Sequence, residues 1–182
     1  MACSLTTGRA ALTGCGATKA GLNELHTWLV NRSAFTPAAI SATTGISADF
    51  TVTSVLLPFV FDARGFQFDE TMTTDANTGA QTHKPVITGR LIGLSGANRA
   101  DVEKLKGTNL VAIIETKAGK YMVVGYTAGL TLDTNEAGST SDKLGEMITL
   151  STTENNPEAS KYFEYLDTDA ATSLAALIAA EV

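Results

Sequence analysis

The side chains able to do chemistry in this chain are mostly acidic, and they fall in loose clusters: Asp62, Asp69, Glu70 and Asp75, then Asp133, Glu136, Asp142 and Glu146. Two carboxylates flanking a cleft are what glycoside hydrolysis needs, one to protonate the leaving oxygen and one to act as base or nucleophile. Such sites also use aromatic platforms for the sugar, and this sequence has one Trp and 7% aromatic residues. The Asp and Asn of 133–142 carry the oxygen ligands that calcium prefers, but not at EF-hand spacing. His26 stands beside Trp28 in an apolar context and reads as a packing residue. His83 precedes Lys84 in a polar stretch and reads as solvated. Cys3 and Cys15 cannot complete a tetrahedral zinc site without further ligands at metal spacing, which leaves a disulfide or two small buried thiols. Ser95-Gly96-Ala97-Asn98 opens a helical segment and could hold an anion there, although a strand-to-helix turn with an N-cap accounts for it fully. No nucleophile elbow, zinc-helix, phosphate-loop or dinucleotide motif is present. The expectation is a protein that is not an enzyme, with no catalytic, cofactor-binding or metal-binding residue and no cofactor.

Residues with so little chemistry turn attention to the elements that hold them. Asn109 to Tyr126, NLVAIIETKAGKYMVVGY, reads as two strands joined at Lys117-Ala118-Gly119-Lys120, with Gly119 supplying the positive φ of a tight turn. Its strands lack the apolar–polar alternation of a hairpin with one wet face, so something must cover the second face. Strands are also expected at 22–31, in one or two pieces within 49–62 interrupted by Pro58, at 66–73 with Phe66, Phe68 and Glu70 on one side, at 84–96, at 129–134 and at 143–154. Residues 159–166 fit a strand or a helical turn. A proline inside a strand run marks an edge or a bulge. Residues 75–83 and 135–142 read as loops, from their Gly, Asn, Asp and Ser.

Two helices are expected. The first covers 98–107, N-capped by Asn98 and stopped by Gly107, with Val102 and Leu105 forming a small face that lids a sheet. The second covers 167–182, capped near Asp167 or Thr168, with Leu174, Leu177, Ile178 and Val182 on one stripe. Eight or nine strands and two helices give an antiparallel β-sandwich or barrel with a short flanking helix and a C-terminal helix. The chain divides into an arm at 1–21, a β-sandwich at 22–166 and the helix at 167–182.

Composition agrees with this reading. The 182 residues suffice for one domain with a real core, and only 18% are charged. A net charge of −6, with no basic run, disfavours a nucleic acid held through phosphate contacts. The opening residues lack the basic and long apolar regions of a signal peptide, and no segment approaches the ~20 apolar residues of a membrane span. A cytoplasmic site of synthesis is therefore expected, with no membrane partner.

Three stretches, MACSLTTGRAALTGCG, GKYMVVGYTAGLTL and GEMITLSTTENNPEA, together with the strand–helix–hairpin order, resemble the tail-tube proteins of tailed bacteriophages. The resemblance implies a virion structural protein, assembled in the host cytoplasm. It would be a homo-oligomer closing into rings, hexameric in that family, that stack into a tube. Other virion proteins would be partners, and DNA would pass through transiently without specific contacts. In such a ring the second apolar face of 109–126 would be covered by the chain's own helix, by a neighbour or by both; within one sandwich it would be covered by the helix at 98–107. The arm 1–21 and the C-terminal helix would serve assembly, and the loop from Thr73 to Thr82 would reach an adjacent ring. A capsid decoration or head-completion protein, or a monomeric ligand-binding sandwich, is the alternative.

Overall fold

The computed structural model describes residues 22–62, 66–92, 96–140, 143–153 and 157–181. The arm at 1–21, with Cys3 and Cys15, lies outside the described residues, as do Asp142 and Val182. No helix among those described is long and apolar enough to cross a membrane.

The fold is mainly β, a sandwich of sheets that are antiparallel except where two of the shortest strands, at 46–47 and 163–165, pair in parallel, with a short flanking helix and a C-terminal helix. Its strands are β1 (Leu22–Asn31), β2 (Phe35–Pro37), β3 (Ile46–Ser47), β4 (Phe50–Val52), β5 (Leu57–Phe59), β6 (Gln67–Thr74), β7 (Gln81–Ile92), β8 (Leu110–Thr116), β9 (Tyr121–Val124), β10 (Thr131–Thr140), β11 (Lys143–Ser151) and β12 (Phe163–Tyr165). The helices are α1 (Gly96–Leu105) and α2 (Ala170–Ala179). Six strands form one sheet in the order β3-β12-β9-β8-β1-β5, and four form another in the order β10-β11-β7-β6. The pair β2–β4 stands apart as a small ribbon.

The hairpin at 109–126 occupies the centre of the six-stranded sheet, β8 lying between β9 and β1. Its β-branched residues suit a pleated surface, and both of its faces are dry. Ala112, Ile114 and Val124 face the four-stranded sheet with Leu29, Ile87, Ile148 and Leu150. Val111, Ile113, Tyr121 and Val123 face the other way, onto Phe35, Leu56, Phe163 and Leu177. The second face is thus closed within the chain, by α2 and the β2–β4 ribbon. The helix at 98–107, one of the alternative covers expected, is α1 and instead contributes Val102 and Leu105 to the core between the two sheets. Each large apolar side chain buried in these clusters stabilises the fold by about 1.5–3 kcal/mol.

Local signals account for most element ends. Gly119 turns β8 into β9 with φ 74°, and Gly107 ends α1 with φ 70°. Asp169 caps α2: its carboxylate accepts from Thr172 N–H at 2.8 Å while Thr172 Oγ1 accepts from Asp169 N–H at 2.9 Å. The Thr172 N–H first, and then its hydroxyl donating to the same carboxylate, pull the Asp169 carboxyl below its ordinary range. The cap lies one or two residues past the position expected from sequence. The buried stripe also differs, with Ser173 and Leu177 inward, Leu174 partly buried and Ile178 exposed. Trp28 Nε1 donates to Glu181 Oε1, and Tyr121 Oη to Ala170 O at 3.4 Å, so both ends of α2 are tied to the sheet. Burial first, and then the Glu115 and Tyr165 side chains, push the Tyr121 phenol up to about 12, which keeps it a donor.

Several expectations are corrected. Twelve strands are present among the described residues rather than eight or nine. The stretch 135–142 is mostly strand: through Thr140 it forms β10, paired with β11 as far as Lys143. Its turn-forming composition is overridden by that ladder. The stretch 75–83 is a tight turn over 75–80 followed by the start of β7, with Asp75 Oδ1 accepting from Asn77 and Thr78 N–H and Gly79 at φ 69°. Thr73, Thr74, Gln81 and Thr82 belong to strands, so the expected long loop is a short hairpin tip. Helix α1 begins at Gly96, which places Asn98 inside it rather than at its cap.

Candidate functional site

The acidic residues do not converge on a cleft. Asp62 pairs with Arg90 at 3.5 Å, Asp75 organises a turn, and Asp133 accepts from Ser151 Oγ at 3.4 Å. Glu146 points into the sandwich and is 4% exposed, with Oε2 unpartnered. Asp69 and Glu136 are exposed on separate strands. Among the described residues no group of three His, Cys, Asp or Glu side chains is placed to hold a metal ion. His26 lies in β1, and its side chain is outside what the structure describes.

His83 was expected in a solvated loop. It sits in β7, with Nδ1 buried and 3.6 Å from Glu70 Oε1. Its backbone pairs with Glu158, each N–H donating to the other's carbonyl at 2.8 and 2.9 Å. The Glu158 side chain then reaches the turn between β9 and β10, where its carboxylate accepts from Thr127, Ala128 and Gly129 N–H. Burial pushes this carboxyl above its ordinary range, against the pull of those three N–H groups and of Arg32. Glu158 is a staple: its backbone holds one sheet and its side chain the turn leading from the other. Glu158 is not legible as a site from sequence, because nothing in NNPEAS signals a buried carboxylate.

A cleft of about 480 Å³ lies between α1 and β5. It is lined mainly by apolar side chains, and its charged members Asp101 and Lys104 are paired at 2.8 Å. No nucleophile stands beside a base in it.

The feature with the most reach is the finish of the sheet edges. In the six-stranded sheet, Arg32 N–H donates to Asn109 O, which fixes the alternation along β1 so that the outward-turned positions of β5 are Leu56 and Pro58. Pro58 has no N–H, and Leu56 N–H donates to Ala180 O at 2.9 Å. The other edge, β3, is two residues long, and Ile46 O accepts from Ser41 N–H at 3.0 Å. Both edges are closed by standard devices: a proline, a very short strand, and neighbouring chain.

Among the described residues the four-stranded sheet has none of these. Its outer strands β6 and β10 are eight and ten residues long, without proline or lysine. Asp75 N–H donates to Ala80 O at 2.9 Å, so along β6 the N–H groups of Phe68, Glu70, Met72 and Thr74 turn away from β7. The same alternation, carried across β7 and β11, turns the N–H groups of Asn135 and Ala137 away from β11. No strand lies beyond either edge among the described residues. One face of this sheet packs into the core. The other shows Thr71, Thr88, Thr134 and Thr149 with Val86 and Met147, has Lys84 and Arg90 on its inner strand β7, and carries Asp69 and Glu136 on its outer strands.

Comparison of the chain with protein-family models, with curated proteins and with solved structures gives no match.

Proposed function

We propose that this chain is a non-catalytic virion structural protein of the tail-tube type, whose copies close head to tail into rings through β6 and β10, the rings stacking into a conduit for DNA. The observation that carries this reading is the pair of long edges on the four-stranded sheet, which no other strand among the described residues covers, beside a six-stranded sheet with both edges closed. A sheet of four strands, all antiparallel, can be continued by an identical copy without changing its pattern: β6 and β10 run in opposite senses, so the strand added at each seam is again antiparallel. Core-facing residues then meet core-facing residues, because outward N–H groups belong to core-facing positions on both strands. Such a contact is heterologous and closes when the rotation allows.

Closure also sets which face is inside. The packed face carries the second sheet and, beyond it, α2, and these layers need the wider outer circumference. The threonine-rich face is left to line the channel. Short hydroxyl side chains dominate this face, with acidic groups at its rims; its basic residues Lys84 and Arg90 stand apart near opposite ends of β7, Arg90 bound to Asp62, so phosphate meets no cluster of cations and little of the counterion-release gain that holds DNA on basic surfaces.

Met72→Pro tests this. Met72 is 54% exposed and its N–H turns to the open edge, so proline removes a seam donor while leaving the hairpin ladder intact. The isolated subunit should melt within a few degrees of the parent, and negative-stain microscopy should show rings or tubes for the parent and none for the variant. Ala137→Pro does the same at the opposite edge. Rings that survive both substitutions sink the reading.

A further inference from the structure

Three of the six large apolar side chains exposed among the described residues, Val55, Leu57 and Val60, line one place, the cleft of about 480 Å³ between α1 and β5. Behind them the cleft is lined by Leu29, Leu105 and Leu110, all buried in the core. Exposed aliphatic groups gathered at the rim of an apolar cleft mark an interaction site. Two observations narrow its occupant. A strand cannot add to β5, because Leu56 N–H already donates to Ala180 O at 2.9 Å and Pro58 has no N–H. Nor does the cleft select a charged group, since Asp101 and Lys104 in its lining pair with each other at 2.8 Å. What fits is a segment that inserts aliphatic side chains and brings no carboxylate.

The chain itself has such a segment. Residues 1–21, MACSLTTGRAALTGCGATKAG, hold none of the 19 acidic residues, and their branched aliphatic side chains are Leu5 and Leu12, the latter beside Ala10 and Ala11. They lead into β1 at Leu22, and the last three residues of β1, Leu29, Val30 and Asn31, line the cleft. From Leu22 to Leu29 the strand covers ~23 Å. An extended chain returns over that distance in about seven residues, which brings Leu12 within reach of the cleft of its own chain. On that side of β1, β5 pairs with Thr27, Trp28 and Leu29 only, so among the described strands nothing bars the way along the first half.

We propose that residues 5–12 cover this cleft in their own chain, with the Leu12 side chain seated among Val55, Leu57 and Val60. The inference is independent of the ring reading. It assigns the arm to the subunit that carries it, whereas the resemblance to tail-tube proteins assigns it to assembly. An arm so held removes three aliphatic side chains from water and ties the start of the chain to α1 and β5.

The chain's own thiols provide the test, because Cys3 and Cys15 are its only cysteines and both lie in the arm. In the full chain carrying Cys3→Ser, Val60→Cys places a second thiol at the rim of the cleft. Met72→Cys places one at a site about as exposed that does not line the cleft. After mild oxidation in dilute solution, peptide mapping should find Cys15 linked within one chain to position 60, several-fold more than to position 72. A second measurement uses Val60→Cys with both native cysteines changed to serine. Its thiol should react with a maleimide several-fold faster once Leu5→Ser and Leu12→Ser are added, with melting curves establishing that each protein is folded. Equal linkage to the two positions, links found only between two chains, or a labelling rate unmoved by the leucine substitutions each overturns the inference.

Discussion

The six-stranded sheet is covered on both faces and closed at both edges, by Pro58 and the α2 carbonyl on one side and by the two-residue β3 on the other. The four-stranded sheet is covered on one face and ends in two long strands whose outward N–H positions no other strand among the described residues takes up. Both sheets belong to one chain and share one core, so composition does not explain the contrast. The first sheet contributes buried side chains to both core clusters and the second to one, so the first is expected to carry more of the subunit's stability. The second has a face and two edges that no other described part of the subunit covers.

If that division holds, equal truncations in the two sheets should have very unequal effects. The largest is expected at Ile113, fully buried in the middle of β8. Ile113→Ala should cost about 2–5 kcal/mol by chemical denaturation, from lost transfer energy and the cavity left between β8 and α2. A loss under 1 kcal/mol would mean that the sheet beneath α2 is loosely packed and not the stable half.

An intermediate effect is expected at Glu158, which joins the halves. Its folded carboxyl holds a proton to higher pH than the unfolded chain does. The stability it contributes is therefore fully present below the ordinary glutamate range, and is lost as pH rises through the raised folded value. Glu158→Gln removes that titration. The stability of the parent relative to the variant should be greater at pH 4.5 than at pH 7.5, the reverse of an ion-paired surface carboxylate. Parallel curves for the two proteins across this range would show that the staple does not titrate as its burial implies.

The smallest effect is expected at Thr149, on the face of β11 turned from the core. Thr149→Ala should change subunit stability by no more than about 0.5 kcal/mol. A cost approaching that of Ile113→Ala would show that this face is packed in the subunit itself and is not reserved for a channel.

Much of this architecture was legible in the chain. The unbroken apolar runs of 110–114 and 122–124 demanded cover on two faces. Gly119 and Gly107 marked turns that no other residue makes cheaply, and the alternation of Phe66, Phe68 and Glu70 set the inward side of β6. Pro58 marked an edge or a bulge, and it lies in an edge strand. These signals are local, because a φ angle, a missing N–H or a period of two belongs to the residue itself.

What the tertiary structure decided were the matters that depend on a distant partner. Residues 135–140 have the composition of a loop and become strand because β11 offers a complete ladder. The cover over Ile113 is α2, some sixty residues later, and not the nearer α1, because only the chain's final turn brings Leu177 across the sheet. Glu158 becomes a buried staple only where three N–H groups of the β9–β10 turn converge on it. The open edges of β6 and β10 could not be read at all from sequence. Being an edge is a property of strand order, and strand order is settled only when every ladder in the sheet has found its neighbour.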